Sequence, residues 1–424
     1  MEIFRFLLFV FLAFFYVSYN SNSQKCKDFL IFDGSEQVVE YDIDTTGNWW
    51  ILTRPYSDEF RLILPNSTTA TFKEIKNLTF SPDGSRWAFF GRNNSGWNLV
   101  TSDTTIPLFC ENVADIGFSP NSEGFFYAYK NGMQTTVNFN HKQATLINYE
   151  GKIFLNFDGT LIAFVLTKGR SKTLVVPSRF ESENFDEIIP LGFWADDEFI
   201  YAGRRGNLWQ IFKNQKAITE DLLGIIDMKI NWNGTNAAFA VRRNINESVT
   251  IIFSENFSEP VYSKSYESIQ QLKLHPTEPM TLFVGKRGEN NYIVYGNVEY
   301  PIGNFETSPN FTFDGSEIYY CFCDIECYLY VDGKRNTLPG GITCAQDVAR
   351  KPKTTTKDVA RKPKTTTIAY TNYTNLVLLD FFTNIQYSGM MVDKGTKAMY
   401  NWKSGRYEAL GEINNKIYLL TCRP

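Results

Sequence analysis

The sequence predicts an all-β fold assembled from copies of one short unit, and three observations carry the prediction. Similar segments return along the chain at steps of 37, 38, 37, 38, 37, 43 and 38 residues. Most copies place an Asp-Gly-like or Asn-Gly-like turn between two apolar runs. The run after each turn is rich in aromatic and β-branched residues, which favour strands. Such a period is typical of a repeat architecture rather than of two or three unrelated domains.

The copies of the repeat can be aligned by the residue at their turn. Aligned turn residues fall at positions 47, 84, 122, 159, 197, 234, 277 and 315, and a weaker copy begins at Met390. Asp or Asn can accept backbone hydrogen bonds in a tight turn, and glycine adopts positive φ without strain. Four pairs are therefore predicted as structural hairpin turns: Asp83-Gly84, Asp158-Gly159, Asn233-Gly234 and Asp314-Gly315.

A second hairpin pattern follows each turn region, in segments such as NLWQIFKNQKAI and CYLYVDGKRNTL. Four short strands in about 38 residues make one blade of a β-propeller. The eight firm turn anchors, the weaker ninth copy and the chain length together predict a single ring of eight to ten blades. Two smaller rings are the alternative, although no Pro/Gly/Ser-rich linker divides the chain.

The segment FSPDGSRWAFFGRNNSGWNLVTSD, starting at Phe80, resembles the WD40-like repeat of TolB-type β-propellers. The hallmark of that repeat is a Ser-Pro-Asp-Gly turn before an aromatic strand. Less close copies start at Phe118, Phe157, Trp232 and Phe313, and degenerate ones at Ile43, Phe193 and Leu274. The resemblance implies the fold and a family in which scaffolding and binding roles predominate, and it does not imply a particular reaction.

The N-terminal 23 residues are predicted to be a signal peptide. Arg5 precedes an apolar run from Phe6 to Val17, and Ser21-Asn22-Ser23 fits a small-residue cleavage site. An uncleaved anchor is the alternative, and lipid attachment at Cys26 is disfavoured because Lys25 precedes it. Residues 24–424 would then form the propeller, secreted or periplasmic, with no integral membrane segment after cleavage.

The seven cysteines all follow the predicted signal peptide. In an exported protein, disulfides are the default interpretation of cysteine. Cys321, Cys323, Cys327 and Cys344 could bind zinc by residue type, but disulfides among them are the favoured prediction. Cys110 is then the odd thiol.

Both chain ends are predicted to contribute to one blade. Residues 28–39, DFLIFDGSEQVV, resemble an outer hairpin, and the copy from Met390 supplies inner strands. Cys26 and Cys422 flank these ends, so we predict a Cys26–Cys422 disulfide that would lock the ring. Two unpaired terminal cysteines are the alternative.

Two surface features are predicted. Eight sequons make glycosylation a candidate modification, at Asn66, Asn77, Asn93, Asn233, Asn246, Asn256, Asn310 and Asn372. Residues 346–367 are a tandem duplication, QDVARKPKTTT followed by KDVARKPKTTT. We interpret this basic segment as a disordered surface loop; an arm that contacts an anionic polymer, a lipid headgroup or a partner is the alternative.

No catalytic residue, cofactor site or metal site is predicted. The chain has two histidines, His141 and His275, and lacks a G-x-S-x-G elbow, a P-loop, an H-E-x-x-H motif and a dinucleotide fingerprint. Asp42 and Asp44 near Gly47 resemble a calcium loop only faintly. The aromatic residues Trp49, Trp87, Phe89, Trp194 and Trp232 are predicted to be mostly core, with a few exposed rings available to stack on sugars or a partner.

The predicted function is that of an exported, non-enzymatic binding or scaffold module. A net charge of −4 and a pI near 5.5 disfavour nucleic-acid binding. The partner would be a protein, or a polysaccharide of the envelope or extracellular space, bound through one ring face. The alternative is an extracellular or periplasmic carbohydrate-active hydrolase or lyase with carboxylates at the channel mouth. The sequence does not indicate the oligomeric state.

Overall fold

The computed structural model describes residues 26–423 except 45, 196, 257–258, 304–308, 312–314, 316–317, 324–326, 332–333, 338–348, 351–366, 372–375, 381–384 and 402. Within these residues every helix or strand assigned is a strand, which confirms the all-β prediction for this part. The predicted signal peptide, Asp314, Cys344 and Asn372 lie outside the described residues.

Contacts between residues divide the chain into two compact units. The terminal unit contains residues up to Ala70, Ile325–Tyr328 and residues from Asn336 onward. The central unit contains Thr71–Asp324 and Leu329–Arg335. The strands below are given in chain order.

The N-terminal part of the terminal unit has five strands: β1 (Cys26–Phe32), β2 (Gln37–Ile43), β3 (Trp49–Tyr56), β4 (Glu59–Leu64) and β5 (Ser67–Thr68). The central unit continues with β6 (Glu74–Phe80), β7 (Trp87–Asn93), β8 (Gly96–Thr101), β9 (Thr105–Leu108), β10 (Asn112–Phe118), β11 (Phe125–Asn131), β12 (Gln134–Phe139), β13 (Lys142–Ile147), β14 (Tyr149–Leu155), β15 (Ile162–Lys168), β16 (Ser171–Val176), β17 (Phe180–Glu181), β18 (Glu187–Phe193), β19 (Phe199–Arg205), β20 (Leu208–Lys213), β21 (Lys216–Ala217), β22 (Gly224–Ile230), β23 (Asn236–Asn244), β24 (Glu247–Ser254), β25 (Val261–Tyr262), β26 (Ser268–Leu274), β27 (Thr281–Arg287), β28 (Asn290–Tyr295) and β29 (Val298–Gly303).

The next four strands are β30 (Asn310–Phe311), β31 (Ile318–Cys323), β32 (Cys327–Val331) and β33 (Lys334–Thr337). The C-terminal part of the terminal unit has β34 (Ala349–Arg350), β35 (Thr367–Thr371), β36 (Leu376–Asp380), β37 (Ile385–Ser388), β38 (Lys394–Gly395), β39 (Met399–Asn401), β40 (Arg406–Ile413) and β41 (Lys416–Cys422). β34 lies inside the duplicated basic segment, and most of that segment is outside the described residues.

The strands form ten sheets in the described part of the chain. Nine of them contain four consecutive strands in chain order, from β2–β5 and β6–β9 through to β34–β37. Neighbouring strands are antiparallel, as in the pair β7 and β8. Each such sheet is one blade, so the prediction of four-stranded blades repeated along the chain is confirmed.

The tenth sheet is built from both ends of the chain. Its order is β1-β41-β40-β38, with β39 also paired to β40. The residues from Met390 onward thus supply its inner strands, as predicted. The prediction of a hairpin over residues 28–39 is wrong: β1 pairs with β41, whereas β2 begins the next sheet. The local turn signal was real, since Asp33 Oδ1 accepts the Ser35 amide at 3.0 Å, but long-range pairing determined the partner of β1.

A disulfide joins the two ends within this sheet. Cys26 and Cys422 are paired residues of β1 and β41, with Cα atoms 4.0 Å apart and their sulfurs bonded. Cys422 is 1% exposed and packs in the same cluster as Tyr407 and Leu420. The disulfide therefore closes a loop of nearly the whole described chain, a topology that restricts the unfolded state strongly.

The second strand of most blades forms the core. Its residues are buried on both faces, for example Ala88, Phe89 and Phe90 in β7 and Ala237 to Val241 in β23. A strand covered on both sides needs a continuous apolar run rather than an alternating one, which is what WAFFG and AAFAV provide.

Candidate interaction face

The turns between the first and second strands of the central blades share one capping device. Ser81 Oγ accepts the Arg86 amide at 2.9 Å, and Asn156 Oδ1 accepts the Leu161 amide at 2.9 Å. The same bond recurs at Ser119, where Oγ accepts the amide of a residue five positions on. A short polar side chain at this position replaces a missing backbone partner and fixes the turn.

His275, at the equivalent position of its turn, caps different amides with an imidazole ring. Its Nδ1 accepts the amides of Thr277 and Glu278, at 3.2 and 2.8 Å. Nε2 then carries the proton and donates to Gly315 O at 2.9 Å. His275 is 5% exposed, and both of its ring nitrogens are used in these hydrogen bonds. Its role is therefore structural: it caps the turn.

Adjacent turns are joined to one another by hydrogen bonds. The links run in chain order and stay within the central unit: Asp83 N to Ser122 Oγ, Asn121 N to Phe157 O, Asn156 Nδ2 to Asp197 Oδ1, Ala195 N to Gly234 O and Asn236 Nδ2 to Thr277 O. We call the six linked turns (residues 81–86, 119–124, 156–161, 194–198, 231–236 and 275–280) the turn face. Because each turn is tied to the next, the turn face is a rigid surface.

The second residue of every turn on this face is apolar. These residues are Pro82, Pro120, Phe157, Ala195, Trp232 and Pro276. Phe157 is 43% exposed and Trp232 is 60% exposed, and their ring centroids are 6.1 Å apart. Although they belong to blades that are not neighbours, the two rings contact each other across the turn that carries Ala195. They form an exposed aromatic pair.

Acidic residues outnumber basic ones in the turns of this face. In sequence the six turns contain Asp83, Glu123, Asp158, Asp196, Asp197, Glu198 and Glu278, against one Lys or Arg residue, Arg86. The Arg86 guanidinium donates to the Ser122 carbonyl and lies over the Phe118 ring at 5.0 Å. Arg179 lies 3.7 Å from Asp197, and Lys213 pairs with Glu198. Even with these two pairs, acidic residues remain in excess, so the turn face carries a net negative charge.

Two of the turn carboxylates, Asp83 and Asp158, have lowered pKa values and remain ionised at neutral pH. Partial burial alone would raise the pKa of Asp83, but hydrogen bonds from the Ser81 and Ser85 side chains, the Ser85 amide and Ser122 lower it below its ordinary value. Asp158 has a lowered pKa for the same reason, because Thr160 donates to it through its hydroxyl and amide. Such carboxylates supply a permanent negative charge and are poor general acids.

Three of the four pairs predicted to form structural turns, at residues 83–84, 158–159 and 233–234, lie on this face; Gly315 lies outside its six turns. Gly84, Gly159 and Gly234 have φ of 66°, 75° and 74°, and Gly315 has φ of 73°. Asp83 and Asp158 cap their own turns, and Asn233 Oδ1 accepts the Thr235 hydroxyl at 2.9 Å.

Of the five aromatic residues predicted to be mostly core, Trp232 is the exposed one. Phe89 and Trp194 are buried, whereas Trp49 and Trp87 are partly buried. Trp232 occupies a turn position, and its ring points to solvent rather than into a blade. Alignment of the repeats by turn position would have found it, because prolines stand at the equivalent positions.

The carboxylates of the candidate calcium loop, Asp42 and Asp44, belong to the terminal unit. Asp42 Oδ1 accepts the Ile43 amide, and Asp44 Oδ1 accepts the Thr46 and Asn48 amides, so both serve the backbone. Within the described residues, no group of three His, Cys, Asp or Glu is placed to hold a metal ion. Likewise, no helix in that part of the chain has the length and apolarity to cross a bilayer.

Among cysteines with described side chains, Cys110 is the free thiol, and partial burial raises its pKa. Cys321, Cys323 and Cys327 lie in β31 and β32, but their side chains, like Cys344, fall outside what is described.

The sequon asparagines are distributed over both units. Asn66, Asn77, Asn93, Asn246 and Asn256 are exposed, whereas Asn233 and Asn310 are partly buried. Asn77 Nδ2 donates to Ala114 O at 3.2 Å, a bond that a glycan on this nitrogen would disturb. Glycosylation stays a prediction.

Sheets of four consecutive antiparallel strands, linked turn to turn in chain order, are propeller blades. The chain is a β-propeller repeat protein. No family model and no curated protein matches its sequence. Among solved structures, a eukaryotic initiation factor has 12% identity and a TM-score of 0.44, over 80% of this propeller and 98% of that chain.

Two further solved structures are similar to this propeller. The Dos1 propeller has 10% identity and a TM-score of 0.36, over 74% of this chain and 93% of that chain. TolB from Acinetobacter baumannii has 10% identity and a TM-score of 0.30, over 68% and 80%. Likenesses at this level carry no argument about function.

Proposed function

We propose that this protein is a binding module whose turn face recognises a protein partner. The observation that carries the proposal is the exposed pair of Phe157 and Trp232 on a rigid, acidic surface. Exposed aromatic residues at the centre of a preformed surface are typical anchors of protein interfaces, because they bury much apolar area at little entropic cost. Each turn is already fixed by its cap, so binding orders little backbone.

The charge of the face indicates the kind of partner. Asp83 and Asp158 have lowered pKa values and present fixed negative charge on the turn face, with Asp158 next to Phe157 in the chain. A partner with a basic surface would be attracted to this face, and its association would slow as salt increases. Arginine suits the site best, since guanidinium groups both stack on indole rings and pair with carboxylates.

We further propose that the protein acts outside the cytosol. The Cys26–Cys422 disulfide supports this, because such bonds persist in oxidising compartments. The apolar N-terminal run with its cleavage pattern points the same way. N-terminal sequencing of protein secreted by the native cells tests it: a mature chain beginning at Gln24 is expected, and a cytosolic chain retaining Met1 would contradict export.

The interaction proposal is tested by quantitative affinity capture with matched variants. The test variant is Phe157→Ala/Trp232→Ala. The control is Phe109→Ala/Ile245→Ala, which removes two apolar side chains that are 93% and 83% exposed. Phe109 lies beside the turn joining β11 to β12, since Asn131 Nδ2 donates to its carbonyl at 3.3 Å, and Ile245 lies in the turn between β23 and β24.

We expect one protein to be enriched by the wild type and the control, and lost with the test variant. With that protein purified, the test variant should bind at least about tenfold more weakly in calorimetry. Equal binding by wild type and test variant, or no enriched protein, would overturn the proposal.

A further inference from the structure

A cleft of about 530 Å³ opens between the blade β6–β9 and the blade β10–β13 of the central unit. Leu99 and Ile106 line it from one blade, and Phe125, Tyr127 and Phe139 line it from the other. Its volume lies in the range of small-molecule sites, roughly 300–1,000 Å³. The cleft is distinct from the Phe157–Trp232 pair, so an inference about it goes beyond the proposed function.

A ladder of aromatic rings forms one wall. Phe118 and Phe125 have ring centroids 4.9 Å apart, and the Phe125 and Tyr127 centroids are 6.1 Å apart. These rings are partly buried, whereas Phe89 and Phe164, which lie in the second strands of other blades, are almost fully covered. The second strand β11 therefore leaves aromatic surface uncovered at a place where other blades cover theirs.

Asn138 is one of several polar residues that line the cleft, which also include Thr101, Ser102, Thr104, Asn140, His141 and Gln143. Asn138 lines the cleft and pairs with Tyr127 on β11 and with Gln143 on β13, so the three side chains share one face. The Asn138 Nδ2 atom is closed to solvent and has no hydrogen-bond partner, so a ligand in the cleft can accept from it only after the side chain turns toward the cleft. An unsatisfied buried donor costs about 1–3 kcal/mol, so a ligand that offered an acceptor to this amide would recover part of that cost.

The electrostatics of the cleft favour an uncharged ligand. Its rim carries both signs, with Asp103 and Glu123 against Arg86 and Lys142. Burial raises the pKa of Tyr127, so its hydroxyl stays protonated. The rim as a whole would therefore stabilise neither an anionic nor a cationic ligand.

We propose that this cleft binds a small, uncharged, planar aromatic molecule that carries a hydrogen-bond acceptor. The flat rings of Phe125 and Tyr127 provide stacking surface, the opposite wall of Leu99 and Ile106 covers the second face, and the Asn138 amide donates to the acceptor. Three independent features of the cleft thus specify the ligand: shape, charge and polarity.

The test uses coumarin, an uncharged planar lactone, as the probe. Naphthalene supplies the rings without an acceptor, and δ-valerolactone supplies the acceptor without the rings. Binding is measured by titration calorimetry and by saturation-transfer NMR. We expect saturable 1:1 binding of coumarin, with naphthalene about tenfold weaker, the size of one lost hydrogen bond. δ-Valerolactone should give no measurable binding.

Two variants locate the site. Ile106→Trp fills the cleft from the edge strand β9, and we expect it to abolish coumarin binding. Asn138→Leu removes the amide at similar volume, so coumarin should bind about tenfold more weakly while naphthalene binding is kept. Trp232→Ala is the matched control and should bind coumarin like the wild type. Circular dichroism establishes that each variant is folded.

The proposal is overturned if wild-type protein does not bind coumarin saturably, or if Ile106→Trp binds it as well as the wild type. Loss of coumarin binding in Trp232→Ala with retention in Ile106→Trp would move the ligand to the turn face. Neither result depends on whether the turn face binds a protein, so the two proposals fail separately.

Discussion

Gly203→Ala should destabilise the protein through a clash with one aromatic ring. Gly203 lies in β19, and a Cβ built on it would lie 2.6 Å from the Cδ1 and Cε1 atoms of Phe185. Ordinary contacts at a Cβ are 3.4–4 Å, so the ring would have to move by about 1 Å. Phe185 is 2% exposed and packs against Tyr201 and Phe212, with ring centroids 6.0 and 5.1 Å away.

A ring held on several sides cannot move without disturbing its neighbours. Inserting one methyl group into such packing costs about 1–3 kcal/mol of unfolding free energy. The same arrangement recurs at Gly91 with Phe72 and at Gly285 with Tyr266, where the built Cβ lies 2.5 Å from the ring. The cost is steric, because these glycines are not among those with positive φ.

Urea unfolding followed by tryptophan fluorescence measures the effect. Gly224→Ala is the matched control, because its Cβ would meet nothing nearer than 3.8 Å, and we expect it to stay within about 0.5 kcal/mol of the wild type. In a Phe185→Leu background, the cost of Gly203→Ala should largely disappear. An unchanged cost in that background, or a Gly203→Ala variant as stable as the wild type, would refute this reasoning.

Two further predictions concern a turn cap and an ion pair. His275→Ala should lower the unfolding free energy by about 1–3 kcal/mol, because three backbone groups lose their hydrogen-bond partner. His275→Asn should retain most of the stability, since an asparagine caps the equivalent turn at Asn156. An equal loss in both variants in urea unfolding would contradict this. Hydrogen bonds from Tyr266 at 2.6 Å and Arg287 at 2.9 Å lower the pKa of Glu299 to about 2, from an unfolded value of 4.5. Since the folded pKa is the lower one, Glu299 stabilises the protein above about pH 4.5 and loses this contribution as the pH falls toward 2. At pH 7, Glu299→Gln should therefore be about 1–2 kcal/mol less stable than the wild type, after allowance for solvent screening. At pH 2 the two proteins should be nearly equal in stability. A difference in unfolding free energy that does not depend on pH would contradict the assignment.

Much of the blade architecture could be predicted because it depends on local sequence. Asp-Gly and Asn-Gly turns and the apolar runs around them specify hairpins at short range. The C-terminal inner strands from Met390 follow from the same pattern. The partner of β1 was not predictable in this way. The turn sequence at Asp33 is the same whether β1 pairs with β2, the next strand in the chain, or with β41.

The candidate sites were less accessible to sequence reasoning. Trp232 belonged to a set of aromatic residues expected to be mostly core, because aromatic residues in a strand-rich chain usually pack between sheets. That Trp232 is the exposed member is evident only when the repeats are aligned by turn position. No pattern in the sequence pointed to Asn138 as a binding residue. Its importance follows from the absence of a partner within reach, which depends on how two blades pack.

The sequence by itself determined the repeat, the four strands of each blade and the capped turns, because these depend on residues within about one unit of each other. The tertiary structure decided the partner of β1, the linkage of successive turns, the exposure of Phe157 and Trp232, and the gap that leaves Tyr127 partly uncovered. These features arise where residues of different units meet, and their energies depend on distances that no local pattern encodes.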